Sequence, residues 1–492
     1  MGVNQSDRQA SVRAVTGTAW TYEGDWSALF DSASIPAGSF NGRLLAWINQ
    51  SMGASYAELN GAMSAFAASQ SAPSWNEMGT FTPGSAPVAA WDASTSTLAQ
   101  LAVLATHTRT SLATMFDSTG KLTYAPNNLL LNSATLSTQT VTVQSGVSYI
   151  LSIKGTGSVT LSGASTAGPL NGTGASNRVD LKISASTSSL TLTVSGSVTS
   201  ARLSAVTYET AFRSGDDVGT TSAAYYGPRI DYTYPSNPGL LAEASRTNLG
   251  LNSEDLTAWS KAAGTETVTA NVVSAPNGTL TAEKVQRSGT TWWHGVRNTV
   301  TVSASTVYVV SGFVQVGTGN PGIVLASGTT IDCGIALSGG SPTVISDTGT
   351  SHIIAYGAIS LPGGWYRLWV SLNTSTATSL TYGTADGSAT SNAYNYHWGY
   401  QAEAGAYPTS YIATGATSVT RAADSLSAAS YPTNPAIIQY RSQSTGTRAR
   451  KIINPWSGIS SETNEWIEAI RIYPSGTGAS YLNTKLTVDG PW

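Results

Sequence analysis

The sequence has very little charge. Of its 492 residues only 10% are Asp, Glu, Lys or Arg, and the formal net charge is −3, whereas an ordinary soluble domain has about a quarter of its residues charged. No run of five basic residues occurs. We therefore expect no nucleic-acid partner, because binding to nucleic acid depends on clustered Lys and Arg.

Cysteine is almost absent, and histidine is rare. The single cysteine, Cys333, excludes an internal disulfide framework and a cysteine zinc cluster, and we expect it to be a small buried residue on a strand. The four histidines show no i, i+4 pair and no acidic calcium loop occurs, so we predict no metal site from side-chain motifs and no cofactor. The sequence does not exclude one structural calcium ion that is held mainly by carbonyl groups.

Long apolar runs are also missing. Nowhere do 18 apolar residues follow one another, and the first ten residues are polar, so we predict neither a membrane span nor an export signal. The abundance of Ser, Thr, Gly and Ala is nevertheless typical of proteins outside the cell. A virion component, made in a bacterial cytoplasm and released by lysis, satisfies both observations.

Recognisable catalytic motifs do not occur. The sequence lacks a Gly-x-Ser-x-Gly elbow, a phosphate-binding loop and a His-Glu-x-x-His segment. Its 27 acidic residues form no distinctive constellation, and the discrete modules described below differ from the β-helix of a polysaccharide-degrading spike. We therefore predict that the protein is not an enzyme.

An internal repeat is the most informative feature that is present. NLLLNSATL at 128–136 returns as NLGLNSEDL at 248–256, with six of nine positions identical. TVTVQSGVSYILS at 140–152 returns as TVTVSASTVYVVS at 299–311. The first pair is offset by 120 residues and the second by 159, so the second copy has about 39 additional residues between its two blocks. This pattern predicts two related modules in tandem, one minimal and one elaborated.

Alternation of apolar and polar residues predicts strands in both copies. Val147, Tyr149, Leu151 and Ile153 alternate with mostly polar neighbours, as in a half-buried strand. Such strands recur at intervals of about ten residues, which is typical of antiparallel sandwiches. We predict a mainly β fold with tandem antiparallel, jelly-roll-like β-sandwiches. The predicted boundaries are a helical N-terminal docking or oligomerisation region (1–125), a small β-sandwich (126–208), a Pro-containing connector (209–245), a larger β-sandwich (246–425) and a small C-terminal β unit (426–492).

Two stretches near the N-terminus, 40–70 and 92–110, have helical periodicity. The first has apolar residues at spacings of three and four: Leu45, Ile48, Met52, Tyr56, Leu59, Met63 and Phe66. This narrow stripe predicts an oligomerisation helix, and we expect a homotrimer with the stripe near its axis. The alternatives to a homotrimer are a dimer, docking of the helix on another protein, and packing of the two helices on each other within one chain.

Aromatic clusters on or near the strands are candidates for glycan binding, because an aromatic ring can stack on the apolar face of a sugar. The candidates are Trp292, Trp293, His294, Tyr394 and Tyr396. Trp292 and Trp293 are adjacent, so both cannot point inward from one strand. The alternative for any strand aromatic is packing between the sheets, which we favour for Trp365, Trp369, Trp398 and Tyr400.

Several longer motifs resemble those of one group of proteins. They are MFDSTGKL at 115–122, PRIDY at 228–232, GLLAEASRTNL at 239–249, GYQAEAGAYPTSYI at 399–412 and VTRAAD at 419–424. In combination they resemble structural proteins of tailed bacteriophages and prophages, whose modules are similar to the jelly rolls of carbohydrate-binding modules. GWYRLWV at 364–370 matches the penultimate strand of such a module. The resemblance covers roughly residues 110 to 425.

The resemblance implies a virion fibre, spike or decoration protein and supplies no catalytic residues. From it we predict a virion protein that adsorbs to bacterial surface polysaccharide through its β-sandwiches and attaches to other virion proteins through its N-terminal region. The alternative is a purely structural protein of the head or tail, such as a head decoration, a head fibre or a tail adaptor, that packs on neighbouring virion subunits.

Overall fold

The protein is mainly β, as the sequence predicts. The computed structural model describes residues 87–207, 218–327, 330–348, 352–443, 446–459, 465–475 and 477. Within these, Ala89–Ile472 form one compact unit. The other unit, Met1–Val88 with Tyr473–Trp492, lies almost entirely outside the described residues. So do the predicted helix at 40–70 and its oligomerisation residues.

The second predicted helix is much shorter than its sequence pattern suggests. The first elements are β1 (Ala89–Asp92), α1 (Leu98–Leu104) and β2 (Ala105–Thr108). Thr97 and Gln100 form a reciprocal capping box that begins α1. The prediction of helix to residue 110 was wrong, because the β-branched residues after Leu104 pair with a distant strand instead. No helix in the described ranges is long and apolar enough to span a membrane.

The smaller repeat folds as a two-sheet sandwich. A hairpin of β3 (Thr114–Phe116) and β4 (Leu122–Tyr124) precedes it. Its strands are β5 (Asn127–Asn128), β6 (Gln139–Thr142), β7 (Ser148–Gly155), β8 (Ser158–Gly163), β9 (Leu170–Asn171), β10 (Gly174–Ser184), β11 (Ser189–Ser195), β12 (Val198–Val206) and β13 (Tyr225–Tyr226). The sheets have the orders β10-β7-β12 and β6-β11-β8-β9. Val147, Tyr149, Leu151 and Ile153 lie in the core between them.

The larger repeat adds strands to the same plan. The chain continues through β14 (Ile230–Asp231), β15 (Gly239–Ala242), β16 (Arg246–Asn248), β17 (Ser260–Lys261), β18 (Thr267–Ser274), β19 (Leu280–Gln286), β20 (Val296–Thr301), β21 (Val307–Gln315), β22 (Pro321–Ser327), β23 (Thr330–Ser338), β24 (Ser341–Asp347), β25 (Ile353–Ser360), β26 (Trp365–Asn373), β27 (Ser379–Asp386), β28 (Tyr394–Ala404) and β29 (Val419–Arg421). Short 3-10 helices are Leu256–Ala258 and Pro362–Gly364. Sheet A is β18-β19-β28-β21-β26-β25, and sheet B is β17-β20-β27-β22-β23-β24. An apolar core fills the space between them.

The two repeats use the same asparagine in the same way. The side-chain oxygen of Asn128 accepts a hydrogen bond from the backbone N–H of Leu203, and that of Asn248 accepts one from Ala402. Each asparagine is fully buried and also donates its side-chain amide to backbone carbonyls. A buried amide needs such partners, so the repeated Asn is a structural residue that ties the first strand of each module to a long strand near its end, β12 or β28.

A third sheet combines strands that are distant in sequence. Its last elements are β30 (Ser425–Ala428), β31 (Ala436–Ser442), β32 (Arg448–Ile453), β33 (Gly458–Ile459) and β34 (Glu465–Ile472). The order is β14-β15-β34-β31-β32, with β1 also paired to β34, while β2, β30 and β33 form a small sheet beside it. The segment predicted as a connector, 209–245, thus contributes two strands. Trp91 and Trp456 lie in the shared core.

A buried ionic network joins these parts. Arg109, Arg229 and Arg421 surround Glu243 and Asp424, and all five side chains are at most 1% exposed. Arg229 is 2.8 Å from Glu243 and also contacts Asp424; Arg109 is 2.8 Å from Asp424, and Arg421 is 3.4 Å from Glu243. Four of the five residues come from the motifs at 228–232, 239–249 and 419–424, so those motifs have a structural role.

The carboxylates of the network are held in their charged form. Burial alone would raise the pKa of Asp424, but Arg229, a hydrogen bond from His107 and Arg109 outweigh it and place the pKa well below its ordinary value. Burial is likewise outweighed at Glu243 by Arg421 and Arg229, which lower its pKa to about 2. Each carboxylate therefore stays charged, and removal of either leaves buried arginines without a counter-charge.

We predict that Asp424→Asn lowers the free energy of unfolding by about 3 to 5 kcal/mol, because it leaves buried arginines uncompensated. Urea denaturation followed by circular dichroism measures the change. Asp347→Asn is the control: Asp347 pairs with His352, whose side chain is 69% exposed, and an exposed pair contributes about 0 to 1 kcal/mol. Equal stability of the two variants would contradict the role of the network.

The network also predicts acid sensitivity. Burial and the nearby arginines lower the pKa of His107, although its hydrogen bond to Asp424 opposes this. The unfolded chain therefore binds the proton more readily, and stability is lost as the pH falls below the ordinary histidine value of about 6.5. We expect the thermal midpoint to fall less between pH 7 and pH 5 in His107→Gln than in the wild type. The exposed His352→Gln should keep the wild-type profile; an unchanged profile in His107→Gln would contradict the prediction.

Candidate functional site

Two tyrosines project from the outer face of sheet A. Tyr394 and Tyr396 are alternate residues of β28, and both are half-buried. Their ring centroids are 5.8 Å apart and the rings are inclined at 72°. Alternate residues of a strand share a face, so the two rings lie side by side. We call the two rings the tyrosine platform.

The residues that alternate with the tyrosines along β28 point into the sandwich. Asn395 and His397 are buried, and Nδ1 of His397 lies 2.9 Å from the hydroxyl of Tyr400. Burial lowers the pKa of His397 to about 3, so its ring is neutral at physiological pH. His397 is thus a core residue, and the two tyrosines are turned to the outer face.

Three polar side chains border the platform. Lys284 of β19 is the register partner of Tyr396, and its Nζ lies 4.2 Å from the ring centroid of Tyr394. Gln286 is the partner of Tyr394 on β19, and Gln315 of β21 is the other partner of Tyr396. The sequence did not identify these three residues, because only the register between strands places them beside the tyrosines.

Part of the outer face of sheet A is covered. The β3–β4 hairpin lies on it, with Phe116 and Leu122 packed around Phe313 and Trp398. From the other side Trp365 donates its indole N–H to the carbonyl oxygen of Ser274, 3.1 Å away. The platform therefore lies beside this covered region, and Tyr396 packs against its edge.

Trp292 belongs to a different surface. A Cβ built on Gly334 of β23 would lie 2.2 Å from the Trp292 ring, so the indole rests directly on the sheet B backbone. Cys333 and Ile335, on either side of Gly334, point into the core between the sheets, so this contact is on the outer face of sheet B. The tyrosines lie on the outer face of sheet A, and the candidate aromatics do not form one site.

Trp293 and His294 form a second pair near Trp292. Their ring centroids are 4.4 Å apart, and the guanidinium of Arg297 lies 5.0 Å from the Trp293 centroid. Nδ1 of His294 is 3.1 Å from the carbonyl oxygen of Ser288. All three candidates at 292–294 are half-buried, so each keeps some exposed surface.

The other strand aromatics were expected to pack between the sheets, and Tyr400 does so. For Trp365 and Trp398 the expectation was wrong: both are at most 3% exposed, but they lie in the cluster under the β3–β4 hairpin on the outer face of sheet A. Trp369 is half-buried beside Tyr407 at a centroid distance of 5.5 Å. Cys333 is buried and unpaired, and burial raises the pKa of its thiol. Within the described ranges, no group of three or more His, Cys, Asp or Glu side chains is arranged to hold a metal ion.

Comparison with known proteins gives structural neighbours only. No family model and no curated protein matches the sequence. Among solved structures, the chain is similar to the CBM22-1 xylan-binding domain of Paenibacillus barcinonensis Xyn10C, at 16% identity and a TM-score of 0.22, over 33% of this chain and 97% of that one. The CBM22-1-CBM22-2 tandem domain of the same protein matches at 12% identity and a TM-score of 0.23, over 49% and 93%.

The extracellular domain of ANXUR2 from Arabidopsis thaliana also matches, at 9% identity and a TM-score of 0.17, over 61% of this chain and 88% of that one. These similarities are too low to transfer a function. The function of the chain must therefore be inferred from its own side chains.

We predict that Gly334→Ala displaces the Trp292 indole from sheet B, because the added methyl group would overlap the ring. The expected cost is about 1 to 2 kcal/mol of unfolding free energy, with a shift of tryptophan fluorescence toward that of exposed indole. Gly219→Ala is the control, since nothing lies within 4 Å of its Cβ position. Unchanged fluorescence in Gly334→Ala would mean that Trp292 is free for a ligand.

Proposed function

We propose that the protein binds glycans and that the tyrosine platform is the stacking surface. The observation that carries the proposal is the pair of half-buried rings beside the covered region of the sheet A face. An aromatic ring presents an apolar face with a negative quadrupole, which suits the C–H face of a pyranose. A ligand site of this kind combines such surfaces with a few placed polar groups.

The polar border supports the same proposal. The side chains of Lys284, Gln286 and Gln315 surround the rings. Gln286 and Gln315 each donate one amide hydrogen bond to a backbone carbonyl, at 2.9 Å and 2.6 Å. Their orientation is thereby fixed while the amide oxygens remain able to accept from sugar hydroxyls. Lys284 can donate to the same ligand.

We propose binding without catalysis. Glycoside hydrolysis ordinarily uses two carboxyl groups on either side of the scissile bond. The register partners of the two tyrosines are a lysine and two glutamines. Glu283, the acidic neighbour of Lys284, is buried and faces the sandwich interior beside His397.

In its more specific form, the proposal is a virion fibre or spike protein of a tailed bacteriophage that adsorbs to bacterial surface polysaccharide. The motifs at 228–232, 239–249 and 419–424 support this form through their resemblance to phage structural proteins. A single platform would bind weakly, at about millimolar strength. Several copies per particle, as in the proposed homotrimer, would raise the avidity by about 10² to 10⁴.

We predict that Tyr394→Ala and Tyr396→Ala each weaken glycan binding about tenfold or more, a change of about 1.4 kcal/mol. An array of bacterial surface glycans identifies the glycans that bind. Titration calorimetry with those glycans then measures the change in affinity. Tyr356→Ala is the matched control, since Tyr356 is 41% exposed on β25. Lys284→Gln removes the positive charge at the border of the platform and so measures what that charge contributes to glycan binding.

The absence of binding to every host glycan would instead favour a structural role in the virion. One observation supports that alternative. Val344, Ile354 and Tyr356 are 44%, 50% and 41% exposed on or beside the edge strands β24 and β25. Exposed apolar residues at sheet edges are suited to packing against another subunit.

A further inference from the structure

A large cleft separates the two sandwiches. It has a volume of about 530 Å³, within the range of about 300 to 1,000 Å³ that is usual for small-molecule sites. The small module supplies Thr142 and Ser188 to one wall, and the large module supplies Ile412 and Thr417 to the other. This cleft lies apart from the tyrosine platform, none of whose residues lines it.

The lining of the cleft is entirely uncharged. Four tyrosines line it: Tyr226 is half-buried and keeps exposed ring surface, whereas Tyr124, Tyr149 and Tyr411 are at most 8% exposed. Ser, Thr and Gln side chains supply hydroxyl and amide groups. The hydroxyls of Tyr124 and Tyr226 make no hydrogen bond to another described residue. A charged ligand would lose hydration here without gaining a counter-charge, so the lining favours a neutral ligand.

Contacts between the modules hold the cleft open. Gln144 of the small module donates its side-chain amide to the carbonyl oxygen of Ala413 in the large module, 2.8 Å away. Tyr411 is fixed by a 2.7 Å hydrogen bond between its hydroxyl and that of Ser253. A site that is already formed loses less free energy to ordering when a ligand binds.

We infer that this cleft is a second binding site, which takes a neutral oligosaccharide. The half-buried Tyr226 ring can stack on an apolar face of the sugar, while its hydroxyl and the Ser, Thr and Gln groups of the lining bind the sugar hydroxyls. The inference does not depend on the tyrosine platform. Because the cleft is built from both repeats, neither module contains the site by itself.

Saturation-transfer NMR on the full chain tests the inference. The probes are maltotriose, cellotriose, xylotriose and mannotriose, with trigalacturonic acid as the charged comparison. Ser188→Trp and Thr417→Trp fill the cleft from its two walls, at exposed positions where a large side chain does not disturb the core. Ser162→Trp, exposed on β8 away from the cleft, is the matched control.

At least one neutral trisaccharide should bind to the wild-type chain. Its affinity should fall about tenfold or more in Ser188→Trp and in Thr417→Trp, and should not change in Ser162→Trp. Binding that persists in Tyr394→Ala identifies the cleft rather than the platform, whereas binding lost only in Tyr394→Ala would overturn this inference and leave the platform standing. Failure of all four neutral probes, or equal binding of trigalacturonic acid, would also overturn it.

Discussion

The buried ionic network is the constraint on which the rest of the structure depends. The network consists of residues from separate segments, and their side chains are at most 1% exposed: Arg109, Arg229, Glu243, Arg421 and Asp424. Removing charged groups from water is so costly that each must find its partner. The backbone N–H of Asp424 also donates to the carbonyl oxygen of Glu243, and that of Glu243 donates to the Asp424 carboxylate. These bonds fix the junction between the larger sandwich and the third sheet.

The same network positions the surfaces proposed to bind ligands. Arg229 donates to the carbonyl oxygen of Thr114, at the start of the hairpin that covers part of the sheet A face. Glu243 accepts hydrogen bonds from the backbone and the hydroxyl of Ser410, the residue before Tyr411 in the cleft. The network thereby influences both which part of sheet A stays exposed and where one wall of the cleft lies.

Comparison of the two repeats distinguishes the residues that support the shared fold from those that only the larger repeat contains. Asn128 and Asn248 have the same hydrogen-bonding role. The hydroxyls of Tyr149 and Tyr308 likewise accept hydrogen bonds from the backbone N–H groups of Gln144 and Ser303. These shared features support the fold. The 39 additional residues of the second copy fall in the interval that contains β17, β18 and β19, and β19 provides the lysine and one glutamine of the platform border. The additional residues of the larger module thus provide part of the polar border of the tyrosine platform, which the smaller module lacks.

The sequence by itself determined the local features: the strand alternation, the repeat and the buried cysteine. The alternation follows from the two-residue period of a strand, the repeat from identical residues, and the burial of Cys333 from its small apolar side chain. The sequence did not determine the length of α1, because pairing of β2 with β30 overrides the helical pattern. Nor did it give the partners of the tyrosines, the separation of Trp292 from them, or the contact of His107 with Asp424, 317 positions away. Only tertiary structure decided these, since the register between distant strands depends on the complete set of packed and paired residues.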